Sequence, residues 1–122
     1  MEREIKMDTK ITDVIKQVES NYPEMTAEYK RIMWEGYETF CKKSSNYGTD
    51  NIAMGTTLQK EDDVRLSLTG IWFRANDKIQ RLKQLVVLGK QDNVGESVDD
   101  TLQDLSVYGI IAQIVKNKKW GK

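Results

Sequence analysis

The chain has 122 residues and a mass of 14.1 kDa, 39% apolar and 31% charged with a mean hydropathy of −0.62, which suits one charged-surfaced globular or oligomeric domain. Its 19 basic residues balance 19 acidic ones, so no global field draws in duplex DNA or an anionic membrane, and any polyanion site must be local. Histidine is absent, which removes the usual general base, the serine and cysteine triads and imidazole-ligated zinc, and leaves carboxylates with a hard, oxygen-liking metal as the means of catalysis.

From Asp8 or Thr9 as a cap, the spacing of Ile11, Val14, Ile15 and Val18 predicts a short first helix to about Ser20. Pro23, the only proline, breaks it. A second helix is expected from a Thr26 cap to about Lys43, with Tyr29, Ile32, Met33, Tyr37, Phe40 and Cys41 on its apolar face. Residues 44–60 read as a long structured loop of Ser, Asn, Gly and Thr, a length more often functional than decorative. Glu61-Asp62-Asp63 opens a third helix, which runs through Gly70 to about Leu88 with Gly89 as its C-terminal cap. Ser97 and Asp100 resemble a capping box for a fourth helix over Val98 to Lys116.

These elements predict an all-α fold, a four-helix bundle-like single domain over residues 1–122 with a long loop between helices 2 and 3 and flexible ends at 1–7 and 117–122. The long third helix and the large apolar surfaces of Trp34, Trp72 and Phe73 call for a partner, so a homo-oligomer, a dimer or higher, is expected. Lone Cys41 excludes an internal disulfide and, with no activating base identified nearby, reads as a core residue. The N-terminal MEREIKMDTK has no apolar signal region and no later run reaches the length of a membrane span. The expectation is a soluble cytoplasmic protein without a membrane partner.

The stretch Gly70 to Leu85 carries the most chemistry. Ile71, Ala75, Ile79, Leu82 and Val86 form an apolar stripe, while Arg74, Lys78 and Arg81 stand at i, i+4 and i+7 in one cationic corridor suited to phosphates. Trp72 or Phe73 beside it could stack on a base. The plain alternative is that Asp77 pairs with Arg74 and Arg81 and makes an ordinary charged face. On the fourth helix, Asp100 and Asp104 are one turn apart, a spacing at which two carboxylates can share a divalent cation, although Asp99 and Asp100 also suit the first turn of any helix. Glu35 and Glu38 form an ExxE pair on the second helix. The loop segment Ser44-Ser45-Asn46-Tyr47-Gly48 offers hydroxyl, amide and aromatic groups that can wrap a ligand or simply cap a helix.

Three ordered blocks then resemble a known family: Ser45-Asn46-Tyr47-Gly48 with Asn51-Ile52; Asn76 to Leu82, NDKIQRL; and Glu96 to Leu105, ESVDDTLQDL, with Tyr108. The resemblance is to the nucleotide modification associated domain 1 family, small helical proteins found largely in phages and prophages. The layout is also similar to all-α nucleoside triphosphate pyrophosphohydrolases of the MazG-like kind, in which an ExxE helix and a later ExxD helix hold magnesium over a triphosphate. The resemblance implies Glu35 and Glu38 as the first metal pair, with Mg2+ as cofactor; the second pair departs from the family pattern, since Asp100 and Asp104 stand at i, i+4 and Glu96 with Asp99 form the nearer ExxD. Together with the cationic face and its neighbouring aromatic, it points to nucleotide or phosphate binding through Tyr47, Gly48, Asn51, Trp72, Arg74, Asp77, Lys78, Arg81 and Tyr108.

Two functions follow as expectations. One is a phage-type protein that captures a nucleotide or a nucleotide-derived host signal, an anti-defence role, without altering it. The other is a magnesium-dependent (d)NTP pyrophosphohydrolase linked to nucleotide modification. A protein-binding module presenting Trp34, Trp72 and Phe73 is a third class, disfavoured by the polarity of the three blocks.

Overall fold

Asn21-Tyr22-Pro23 ends one helix and begins the next, because proline has no N–H to lose at a first helical position and its φ already suits the helix. In the computed structural model, which describes residues 9–122, α1 spans Thr9–Asn21 and α2 spans Pro23–Tyr47. The second helix therefore starts before Thr26, whose hydroxyl donates back to the Tyr22 carbonyl at 3.0 Å instead of capping. Asp8 and the expected flexible segment 1–7 lie outside the described residues. Further elements are α3 (Asp50–Ala53), α4 (Glu61–Leu82), a π turn (Lys83–Val87) and α5 (Val98–Lys116). Among the described residues the protein is all-helical, with no strand. No described helix is long and apolar enough to cross a membrane.

The chain divides into two compact units, one ending at Glu35 and one covering Gly36–Lys122. The first holds α1 and the start of α2, joined by an ion pair between Lys30 and Glu19. None of its described residues is buried. The second unit has a conventional core in which Ile52, Leu58, Val64, Ile71, Ile111 and Val115 meet.

Three local features of the second unit differ from the sequence expectation. The segment 44–47 is helical, so the expected loop begins only at Gly48, whose φ of +70° lets the chain leave α2. The rest of that loop is pinned: Asp50 accepts the Gly55 N–H at 2.7 Å, and the buried Ser67 hydroxyl donates to the Ile52 carbonyl at 2.9 Å. The tail is not frayed. Trp120 is 7% exposed, and its indole N–H donates to the Thr49 carbonyl at 2.9 Å. Cys41, expected in the core, is exposed, because its position on α2 turns away from Phe40, which packs against the core.

The α4 and α5 ends follow the sequence more closely. The Leu88 N–H bonds to the Lys83 carbonyl at 2.9 Å, the wider i→i+5 closure of a π turn, and Gly89 at φ +63° ends the helix. Ser97 caps α5 by accepting the Asp100 N–H at 3.0 Å.

Candidate functional site

Several predicted site residues meet in the second unit, where α2, the Gly48–Ile52 segment, α4 and α5 enclose a cleft of about 300 Å³. On α2 the helical repeat brings Thr39, Lys43 and Tyr47 to one side, with Phe40 and Ser44 beside them. Gln103, Asp104, Val107, Tyr108 and Ile111 line it from α5, again at helical spacing. Arg74 enters from α4, Gly48 and Asn51 come from the loop, and Trp120 closes one wall. Phe40 and Trp120 meet edge to face with ring centroids 6.0 Å apart and give the cleft an aromatic floor.

Of the residues expected to bind nucleotide, Tyr47, Gly48, Asn51, Arg74 and Tyr108 all line this cleft. Arg74 is exposed and donates to the Asn51 carbonyl at 3.1 Å, a single neutral contact that leaves its charge uncompensated by any described ion pair. The other cations are differently placed. Asp77, Lys78 and Arg81 line an adjoining depression of about 250 Å³ together with Arg74, Glu96 and Tyr108.

Lys78 and Arg81 are neutralised internally. Lys78 Nζ lies 2.5 Å from Glu96 Oε1 and 3.0 Å from Asp104 Oδ2. Arg81 pairs with Asp92 and Glu96, each at 3.0 Å, and its Nε also donates to the buried Thr101 hydroxyl at 3.2 Å. The hydrogen bond to Glu96 raises the Lys78 pKa against the opposing effect of burial, and Asp104 raises it further. The backbone N–H of Val94 does most to lower the Asp92 pKa, with Arg81 adding to it. Asp77 takes part in no ion pair among the described residues, so the expected Asp77 ladder is replaced by one built from Asp92, Glu96 and Asp104.

Trp72 lies elsewhere. It lines a separate depression with Glu61, Arg65 and Lys116, and its ring packs edge to face on Phe73 at 5.0 Å. It is absent from the lining of the cleft, because on α4 it is two residues from Arg74 and so points well around the helix.

The four carboxylates assigned to magnesium have separate occupations. Glu35, in the first unit, pairs with Arg31 at 3.0 Å. Asp100 sits in the first turn of α5 and Glu38 is exposed. Asp104 is held by Lys78 and by Lys43 at 3.5 Å. Among the described residues no three acidic or thiol side chains gather into a group able to hold a metal.

Lys43, Phe40, Gln103 and Trp120 are cleft residues that the sequence reading did not assign to the site. Lys43 had a signal: it is four residues before Tyr47, and a second helix carried through Tyr47 puts both on one face. Asp92, in the polar turn before α5, had none. The fold and cleft define a small all-helical protein with an aromatic-floored pocket and two cations in its lining. Compared with known proteins, the chain matches no family model, no curated protein and no solved structure.

Proposed function

We propose that the second unit binds a nucleotide or nucleotide-derived small molecule in the cleft, with its planar ring against Tyr47, Phe40 or Tyr108 and its phosphate toward Lys43 and Arg74. One observation carries the reading: residues from four separate segments, among them Tyr47, Asn51, Arg74 and Tyr108, line a single concave site together with Lys43. Rings supply sequence-tolerant stacking, the Asn51 and Gln103 amides can read base edges, and a guanidinium with an ammonium suits an anion. At about 300 Å³ the cleft is at the small end of the ~300–1,000 Å³ range of ligand pockets, suiting one nucleotide unit.

Charge bounds the ligand further. Lys78 and Arg81 are committed to Asp92, Glu96 and Asp104, and Lys43 shares Asp104, so the cleft offers the equivalent of about one or two cations. A mono- or diphosphate fits that balance better than a bare triphosphate. Two of the carboxylates that would hold magnesium, Glu35 and Asp104, are engaged with basic side chains, which favours capture of the ligand over its hydrolysis, in keeping with a phage-type sequestering role.

Titration calorimetry with nucleoside mono-, di- and triphosphates, with and without Mg2+, tests this alongside chromatography of the recovered ligand. The reading expects saturable binding of an intact ligand with little dependence on metal. Absence of binding across the panel would defeat it, and metal-dependent release of pyrophosphate would replace it with the hydrolase. The same reading includes a homo-oligomer assembled as a bundle of helices, which sedimentation equilibrium tests against the 14.1 kDa chain mass.

A further inference from the structure

Among its described residues the first unit is amphipathic, and none of them is buried. On α1, Ile11, Val14, Ile15 and Val18 form one stripe, 37–51% exposed. On the start of α2, Met25, Tyr29, Ile32 and Met33 form another at helical spacing, 48–68% exposed. Val14, Ile15 and Val18 share one open apolar groove of about 400 Å³ with Met25 and Tyr29, flanked by the Lys30–Glu19 pair, so the two stripes face the same way. A helix of 13 residues is marginal in water by itself, and most helical stability in proteins comes from packing an apolar face. The stripe needs a cover.

We infer that the cover is the same hairpin of a second copy, two arms forming a four-helix bundle in which α1 runs antiparallel to its counterpart about a two-fold axis between Val14 and Ile15. This rests on the homo-oligomer part of the reading above and assigns it a surface. Charge order selects the occupant. Along α1 the charged residues are Lys10, Asp13, Lys16 and Glu19. An antiparallel copy centred between Val14 and Ile15 brings Lys10 level with Glu19 and Asp13 level with Lys16, while Ile11 comes level with Val18. A parallel copy in register would place each charge level with its like. Over residues 9–35 the arm carries four basic side chains (Lys10, Lys16, Lys30, Arg31) and five acidic ones (Asp13, Glu19, Glu24, Glu28, Glu35), so self-pairing meets little net repulsion.

Area agrees with a stable pair. At these exposures the five apolar side chains of the groove present on the order of 500 Å² per copy, and the further stripe residues Ile11, Ile32 and Met33 bring the total to the order of 800 Å², comparable with the ~800 Å² per partner of a standard interface. Trp72 and Phe73, another exposed apolar pair, belong to the unit that already has a core and pack on each other. Their substitution is the control for the assignment.

Sedimentation equilibrium on the full chain, with two variants and one cross-link, tests the assignment. The native protein is expected at twice 14.1 kDa, Val14→Glu with Val18→Glu at the single-chain mass, and Trp72→Ser with Phe73→Ser still at twice it. In a Cys41→Ser background, Val14→Cys is expected to form a disulfide-linked dimer under mild oxidation, a result that does not depend on a disrupted fold. A native protein at the single-chain mass at all concentrations would defeat both the homo-oligomer reading and this interface. A dimer that survives the two glutamates, or that only the Trp72 and Phe73 changes dissociate, would overturn the interface and leave the homo-oligomer standing.

Discussion

The Lys78 ammonium lies 3.0 Å from Oδ2 of Asp104, which joins the C-terminal part of α4 to α5 through charge where earlier turns are joined by packing. Glu96 completes the site on the other side of the same nitrogen. Both Lys78 and Asp104 have side chains 20% exposed, so solvent screens the pair only in part.

Removing Lys78 should therefore cost more than removing a surface lysine. Lys78→Met leaves Asp104 with only the more distant Lys43, and a loss of about 1–3 kcal/mol is expected in urea denaturation. Asp104→Asn should cost less, because Glu96 still holds the lysine. Asp77→Asn is expected to stay within about 0.5 kcal/mol, since no described ion pair depends on it. Equal losses at Asp77 and Lys78 would contradict the network.

Trp120 makes the tail part of the fold. Its burial, its hydrogen bond to Thr49 and its contact with Phe40 predict that Trp120→Ala lowers stability by about 3–5 kcal/mol, read from the denaturation midpoint. Trp72→Ala, at a residue 60% exposed, should cost a small fraction of that.

How much of this was legible in the sequence depends on whether the signal was local. The ends of α4 and α5 were, because Glu61-Asp62-Asp63, Gly89 and Ser97 act on the backbone beside them. The cleft residues Tyr47, Asn51, Arg74 and Tyr108 could be named, although nothing in their spacing showed that they would share a wall. Partners across the fold were hidden. Arg81 looked ready for Asp77, at the right helical spacing, but Asp92 and Glu96 reach it from a turn whose path no periodicity encodes. Trp120 was misread because its basic neighbours, Lys118 and Lys119, suggest a solvated end, whereas Lys118 pairs with Glu61 at 2.7 Å.

The network should also set the pH range of stability. The Asp92 pKa is lowered on folding, so its contribution is full above the ordinary carboxylate value of about 3.9 and is lost as pH falls through the lower folded value. The Lys78 pKa is raised, so its contribution is full below about 10.4 and is lost as pH rises through the higher folded value. The melting temperature should be insensitive to these two groups between those limits. Asp92→Asn should flatten part of the acid limb and leave the alkaline one, as thermal scans across pH would show.

The central claim is that Lys43 and Arg74, over an aromatic floor, bind a nucleotide phosphate. The most direct measurement is titration calorimetry of a nucleoside monophosphate panel against the native protein, Lys43→Ala with Arg74→Ala, and Trp72→Ala. Native and Trp72→Ala protein should bind the same ligand with equal affinity, and loss of both cations should weaken it by at least about 10- to 100-fold, the effect of removing one charge-assisted hydrogen bond. Binding that survives loss of Lys43 and Arg74, or that disappears with Trp72, would contradict the cleft as the site.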